Sequence, residues 1–397
     1  MKKNIGVIFG SRSCEHDVSI ITGLQAAQNM DSAKYDVTRI YIDKHGEWYI
    51  GEELDKMTFF IDFDPAKVQH VLPVSRDGKL LLIEYPTGKK RLFGADVNIL
   101  ETVDVVMPAL HGLNGEDGSL QGMLDMLNVP YTSCGILGCA VGMDKITMKQ
   151  VFRGCGFPVL PDINITRDSW HEDREAVLDR AEAALPYPMF VKPANLGSSI
   201  GISRADNRES LAHAIDVAVA YDKRILIEKG VSRIKEVNCS ALGYGDDVRI
   251  SETEMPMKWS DAEFLDFVQK YMGNGGGKGM QSVKRNMPAP ISDELTAQVK
   301  SLTRQIFMAL DCKGVVRIDY IIDESDNSLY VGEINTIPGS LSFYLWEPVG
   351  ISFPILLDNM VQYALKAWKD RNNSTYSFES GILKKVHDGA KMAKGGR

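Results

Sequence analysis

Four polar residues late in the chain carry the strongest chemical signal: Arg317 and Asp319 in one run, Glu333 and Asn335 in the next. Both runs read as β-strands, at 312–323 and 328–335, and Asp323-Glu324-Ser325-Asp326-Asn327 between them is turn chemistry. Side chains alternate along a strand, so 317 and 319 share a face, as do 333 and 335. An antiparallel register that pairs 319 with 333 also pairs 317 with 335, and all four polar groups then meet. Asp, Glu and Asn offer oxygen ligands, the kind Mg²⁺ takes when it also holds phosphates. The competing reading is an exposed polar face with a salt bridge. Because the intervening residues are apolar, a metal site at Asp319, Glu333 and Asn335 is favoured. Arg317 then stands beside it as a fixed cation, suited to a carbonyl oxyanion or a transferring phosphoryl group.

A second constellation is Lys192, borne on Phe190-Val191-Lys192-Pro193, followed by Gly197-Ser198-Ser199-Ile200-Gly201. A strand-borne lysine with a small, flexible loop can close over polyphosphate through backbone N–H groups and hydroxyls. The run lacks the Gly-Lys-Ser/Thr that opens a helix in the Walker pattern, and a plain turn linker stays open as a reading. Glu228 ends one strand and Glu236 begins the next. Carboxylates there can accept hydrogen bonds from a nucleotide's ribose, or be solvated surface charges. Glu15 lies at the first turn after the opening strand, where it can receive an amine or cap a helix. His111 closes another strand, and a small-molecule contact and a satisfied structural histidine are both open.

These residues need a framework. Residues 5–9 read as a buried strand, Gly10-Ser11-Arg12-Ser13 as a turn, and 17–30 as a helix, the opening of an α/β unit. Short strands within 36–100, a strand at 103–108 and a helix at 120–127 complete a first unit, 1–140. A second unit, 141–235, holds helices at 145–153, 173–184 and 207–220, with strands at 189–193 and 224–228. A third, 236–371, holds strand 236–243, a glycine-rich loop at 273–279, helix 293–310, the two metal-bearing strands and helices near 352–368. The tail 372–397 shows little periodicity and is expected to be disordered. The fold class is thus α/β and α+β, opened by a Rossmann-like α/β domain.

A net charge of −8 argues against general nucleic-acid binding, which needs a basic face. It leaves room for a nucleotide, whose phosphates need only a local cluster of cations. The six cysteines form no Cys-x-x-Cys pair, so reduced thiols in a cytoplasmic protein are expected. No apolar run reaches the length of a membrane span, so no membrane partner is expected.

Taken together, the chain resembles the D-alanine–D-alanine ligase family of the ATP-grasp superfamily. The resemblance runs through Gly10 to Ser19 (GSRSCEHDVS), Leu110 to Gly122 (LHGLNGEDGSLQG), Met143-Asp144-Lys145, Lys192 to Gly201 (KPANLGSSIG) and Leu226 to Lys229. It continues in Lys270-Tyr271, Arg317 to Asp319 and Glu333 to Gly339 (EINTIPG). It implies an ATP-grasp fold with Lys145 and Lys192 on ATP phosphates, Lys270 on the transferring phosphate, and Glu228 and Glu236 on the adenine and ribose side. Asp319, Glu333 and Asn335 would bind two Mg²⁺, or Mn²⁺ in their place. Glu15 would hold the first D-alanine's ammonium, joined with Ser198 or Ser199 and Tyr271 in a hydrogen-bonded set. Arg317 and the Gly339 N–H would stabilise the tetrahedral oxyanion. His111 and Ser342 would face substrate, and the assembly would be a homodimer.

The activity so implied is ATP-dependent ligation of two D-alanines through an acyl phosphate, for peptidoglycan precursors. Lys270-Tyr271 favours an amine nucleophile over a hydroxyl, again by resemblance. Two departures stand out. The loop 272–284 is long and glycine-rich, and Ser340 to Glu347 replaces the family's Thr/Ser-His-Ser stretch beside the second substrate. The alternative is therefore a ligase of the same chemistry with another second substrate, such as D-serine.

Overall fold

A computed structural model describes residues 2–85, 97–197, 200–256, 286–375 and 380–387. Strand β1 (Lys3–Gly10) is buried from Ile5 onward and leads through a tight turn into α1 (His16–Asn29). The turn requires glycine at 10: its φ is +96°, and a Cβ there would lie 2.2 Å from the Ile42 carbonyl oxygen. β2 (Tyr35–Ile42) and β7 (Val105–Pro108) flank β1 in parallel. Beyond β2 the sheet continues antiparallel through β3 (Trp48–Ile50), β4 (Gln69–Arg76), β5 (Lys79–Glu84) and β6 (Ile99–Val103). The order is β6-β5-β4-β3-β2-β1-β7. The Rossmann-like expectation thus holds for the three parallel strands, while β3 to β6 form an antiparallel extension.

After α2 (Ser119–Met126) and α3 (Ile136–Met143) comes α4 (Lys145–Gly154), which starts where Asp144 accepts the Thr147 N–H at 2.8 Å. A second sheet, β10-β9-β11-β8, is antiparallel. Its strands are β8 (Asp162–Thr166), β9 (Met189–Pro193), β10 (Ser203–Ala205) and β11 (Arg224–Lys229). Helices α5 (Arg167–Glu172), α6 (Arg174–Ala184) and α7 (Arg208–Tyr221) go with it, and α6 and α7 bury Val177, Leu178, Leu211 and Ile215 in one core with Ile225 and Ile227 of β11. Between α4 and β9 the sequence pattern predicts one helix, 173–184, and the structure has two, α5 and α6.

The third sheet is β13-β12-β14-β15, also antiparallel. It comprises β12 (Ile234–Tyr244), β13 (Asp247–Ile250), β14 (Lys313–Asp323) and β15 (Leu329–Asn335), with α8 (Asp293–Ala309) on its core face. A single long helix, α9 (Phe353–Asn372), stands where shorter helices were expected. Its Leu356, Leu357, Met360 and Val361 share a core with Ile5, Val7 and Phe9 of β1 and Leu24 of α1. The last unit therefore packs on the first, and the turns after β15 are held between them. The glycine-rich loop 273–279 and most of the tail lie outside the described residues.

Candidate active site

The register inferred from alternation is the one observed: Arg317 opposes Asn335 and Asp319 opposes Glu333. One residue further along, Tyr320 opposes Val331, so Gly332 is an extra residue in β15. A side chain at 332 would meet the Asp319 carbonyl oxygen at 2.9 Å, which glycine avoids. The bulge turns Val331 into the core while Glu333 and Asn335 stay on the polar face. Arg317 binds Asp319 with two parallel bonds, Nε to Oδ1 at 2.7 Å and Nη2 to Oδ2 at 2.8 Å. Asn335 Nδ2 donates to Asp319 Oδ2 at 3.0 Å. Burial works against the Arg317 charge, but Asp319, with smaller contributions from Tyr344 and Glu333, holds the guanidinium protonated.

Facing this group across the cleft are the lysines. Lys145 Nζ donates to the Leu196 carbonyl at 2.6 Å and lies 3.5 Å from Glu333 Oε2. Burial raises the Glu333 pKa, but Lys145, Lys192 and Arg317 outweigh it and bring the carboxyl below its ordinary value. Lys192 is in direct contact with Glu228 Oε1, whose other oxygen accepts from Lys149 Nζ at 2.6 Å. Burial alone would raise the Glu228 pKa, and the two ammonium groups overcome it and pull it down to about 2. So Glu228 is a buried anion between two cations and not a solvated surface charge. Lys149 escaped the sequence reading. Its place one turn after Lys145 on α4 was the available signal, since i and i+4 share a helix face.

These groups line a cavity of about 350 Å³ between the second and third sheets, with Glu236 among its walls. Met148, Ile202, Leu226 and Pro256 add an apolar lining. An apolar slot with lysines and carboxylates converging on it suits a planar base joined to phosphates. Among the described residues no group of three or more His, Cys, Asp or Glu side chains could hold a metal. The donor set here is two carboxylates and one amide on one face, which fits a hard divalent cation completed by phosphate oxygens.

A second cluster adjoins the first. Glu15 occupies the start of α1 without capping it through its side chain. Added Cβ atoms at Gly112 and Gly197 would lie 2.5 and 2.6 Å from Glu15 Oε2. The loop from the second unit and the loop after β7 therefore converge on this carboxylate. His111 is buried, with Nδ1 2.8 Å from the Ile337 carbonyl and Nε2 2.7 Å from Thr22 Oγ1. Since a carbonyl only accepts, Nδ1 carries the proton and Nε2 accepts from the threonine hydroxyl. Burial lowers the histidine pKa to about 4. Both ring nitrogens are spent on the protein, so the structural reading of His111 describes its geometry, and the expected direct substrate contact is corrected to a positioning role.

The turn that carries Gly339 is tied down from three sides. Thr22 Oγ1 accepts from the Ser340 N–H at 3.0 Å, His111 holds the Ile337 carbonyl, and Glu116 Oε1 accepts the Ile337 N–H at 2.8 Å. The other Glu116 oxygen accepts from the Gly112 N–H at 3.0 Å. Burial lifts the Glu116 pKa to about 7 despite these two N–H bonds. Residue type and spacing alone assign Glu116 no role. Ser340, Leu341 and Ser342 then run left-handed, with φ of 51°, 52° and 48°. Ser342 is buried in this turn, and its hydroxyl has no hydrogen-bond partner among the described residues. Ser198, Ser199, Lys270 and Tyr271 lie outside the described residues.

A base-sized slot between two antiparallel sheets, with lysines facing a carboxylate–amide face, defines an ATP-grasp enzyme. Comparison narrows this to one family. Residues 4–134 match the family profile for the D-ala D-ala ligase N-terminus and 151–362 that for its C-terminus. The chain is 37% identical to the D-alanine–D-alanine ligase of Thermosipho africanus over 383 residues, covering 96% of this chain and 98% of the relative. It is likewise 37% identical to that of Heliobacterium modesticaldum over 380 residues, covering 94% and 98%. Among solved structures, the D-alanine–D-alanine ligase of Coxiella burnetii matches with a TM-score of 0.72 at 26% identity, covering 94% of this chain and 97% of that one. The VanG D-Ala:D-Ser ligase of Enterococcus faecalis matches with a TM-score of 0.72 at 28% identity, covering 92% and 100%. The chain belongs to the D-ala D-ala ligase family. No helix among the described residues is long and apolar enough to cross a membrane.

Proposed function

We propose that this enzyme joins two D-alanines to D-alanyl-D-alanine at the expense of ATP, releasing ADP and phosphate. The observation that carries the reading is the polar face of Arg317, Asp319, Glu333 and Asn335 set against Lys145 and Lys192 across a base-sized slot. A carboxylate is a poor electrophile, so the first D-alanine needs phosphorylation before an amine can attack it. Asp319, Glu333 and Asn335 would hold Mg²⁺, or Mn²⁺ in its place. When bound, the metal offsets charge on the transferring phosphoryl group. Lys145 and Lys192 orient the phosphates, with Lys192 itself held by Glu228. Glu236 is assigned to the ribose side, and Lys270 to the transferring phosphate. Glu15 receives the first ammonium, completed by Ser198 or Ser199 and Tyr271. Arg317 and the Gly339 N–H face the carbonyl oxygen that becomes negative when the second amine attacks.

The three-way anchoring of the 337–340 turn supports this last role, because an oxyanion donor works only if it is held in place before reaction. The same reading divides the chain into units 1–140, 141–235 and 236–371, one per sheet, with 372–397 as a tail. It includes a homodimer in the cytoplasm. The test is phosphate release from ATP and Mg²⁺ with D-alanine, D-serine, D-lactate and L-alanine, singly and paired with D-alanine. Release with D-alanine alone, with the dipeptide identified by mass, is expected. Release only when D-serine is added beside D-alanine would move the second substrate, and no release with any pair would sink the reading.

A further inference from the structure

A second cavity, of about 180 Å³, shares no lining residue with the catalytic cleft. It lies where the first unit meets the third, between Tyr131, the start of β14 and the last turns of α9. By the same measure one water needs roughly 10–15 Å³, so the space suits a small organic molecule. Tyr131, Tyr244 and Trp368 contribute aromatic surface to its walls.

Lys313 lies in this wall and is buried. Its ammonium donates to the Tyr131 carbonyl at 2.8 Å and stands 3.7 Å from the centre of the Tyr131 ring. Among the described residues no carboxylate forms an ion pair with it. An ammonium has three N–H groups, and one carbonyl and a ring face leave donor capacity unused. Burying a charge without a counter-ion is costly, and a bound carboxylate would offset that cost. In keeping with this, burial lowers the Lys313 pKa to about 8, outweighing the smaller opposing effects of Cys134, Cys139 and Asp311.

The other charges are arranged differently. Asp311 also lines the cavity but is exposed, and Arg371 is already paired with Asp125. The cavity therefore offers a buried cation, aromatic sides and an exposed carboxylate. A simple anion would satisfy Lys313 but meet Asp311 as a like charge. A molecule that carries both a carboxylate and an ammonium beside an apolar group satisfies all three features. We propose that this cavity binds a small zwitterion, a free amino acid or a dipeptide, with its carboxylate on Lys313 and its ammonium toward Asp311. Lys313 stands four residues before Arg317 on the same strand, so occupancy would brace the strand that carries the catalytic cation.

The experiment is isothermal titration of the full-length chain with L-leucine and with D-alanyl-D-alanine. 4-Methylpentanoate and isoamylamine, leucine without its ammonium and without its carboxylate, serve as controls that each lack one charge. Binding of at least one zwitterion is expected, at least tenfold tighter than either control. Whichever zwitterion binds more tightly identifies the source. Lys313→Met should weaken it at least tenfold, while Arg317→Ala should leave it within twofold. Met fills the volume of the lysine stem, and a circular dichroism spectrum like that of the wild type would confirm a folded variant. If Lys313→Met does not fold, Asp311→Asn, a surface change, should still weaken binding at least threefold. Equal affinity for zwitterion and 4-methylpentanoate would overturn the proposal. So would binding that survives Lys313→Met, or Asp311→Asn where Lys313→Met does not fold, or binding that disappears with Arg317→Ala.

Discussion

Replacing Glu228 by Gln keeps the shape of the side chain and removes the anion that Lys149 and Lys192 share. The two lysines are then left as neighbouring buried cations, Lys149 with only the Leu160 carbonyl and the Asp162 carboxylate at 3.6 Å. Breaking a buried ion pair by removing one partner costs about 3–5 kcal/mol. The protonation of Glu228 gives an independent figure. Burial beside the two ammonium groups leaves its carboxyl with a pKa of about 2 in the folded chain, against 4.5 ordinarily. At 1.36 kcal/mol per pKa unit, this corresponds to about 3 kcal/mol of stability at neutral pH. The sign follows from the depressed value: the stabilisation is complete above pH 4.5 and is lost as pH falls toward 2. Urea unfolding of wild type and Glu228→Gln should therefore differ by about 3 kcal/mol at pH 7. By pH 3.5 the gap should have narrowed by roughly 1 kcal/mol. The KM for ATP should rise as well, since Lys192 loses its anchor. A difference below about 1 kcal/mol at pH 7, or one that is the same at pH 3.5, would refute the account of Glu228 as a clamped anion.

Arg317→Ala should lower kcat by about 10²-fold or more, the usual effect of losing an oxyanion donor, while ATP still binds. Near-normal turnover in a steady-state assay would remove Arg317 from that role. Asp319→Ala combined with Asn335→Ala should abolish the Mg²⁺ dependence of ATP binding, and an unaltered magnesium titration followed by fluorescence would exclude the metal assignment. Glu116→Gln tests the raised carboxyl under the turn. Because its folded pKa of about 7 lies above 4.5, the contribution of Glu116 to stability is complete below pH 4.5 and is lost as pH rises through 7. The variant should lack that decline between pH 4.5 and 7 in thermal unfolding, and should show reduced kcat because the amide has one acceptor for two N–H donors. Parallel curves for the two proteins would count against it.

Alternation along two strands and a turn between them were enough to place Arg317 opposite Asn335 and Asp319 opposite Glu333, because period-two geometry is local. Element boundaries such as Met189–Pro193 and Leu329–Asn335 were legible for the same reason. The Gly332 bulge was not legible, since its cause is an approach by the Asp319 carbonyl from the neighbouring strand. Nor was the state of Glu228: a carboxylate at a strand end reads as solvated until α4 brings Lys149 over it.

His111 shows the same division. From sequence it could meet substrate or the protein, and only packing of the 337–340 turn against α1 decided that both its nitrogens are taken. Glu116 and Lys313 owe their roles to burial between units far apart in the chain, a long-range property that residue type and spacing do not encode. Residue types and short-range periodicity thus determined which groups exist and which face of their own strand or helix they occupy. The tertiary structure decided which of them lose water, and so which are held as fixed charges, which are spent on the framework, and which remain for a ligand.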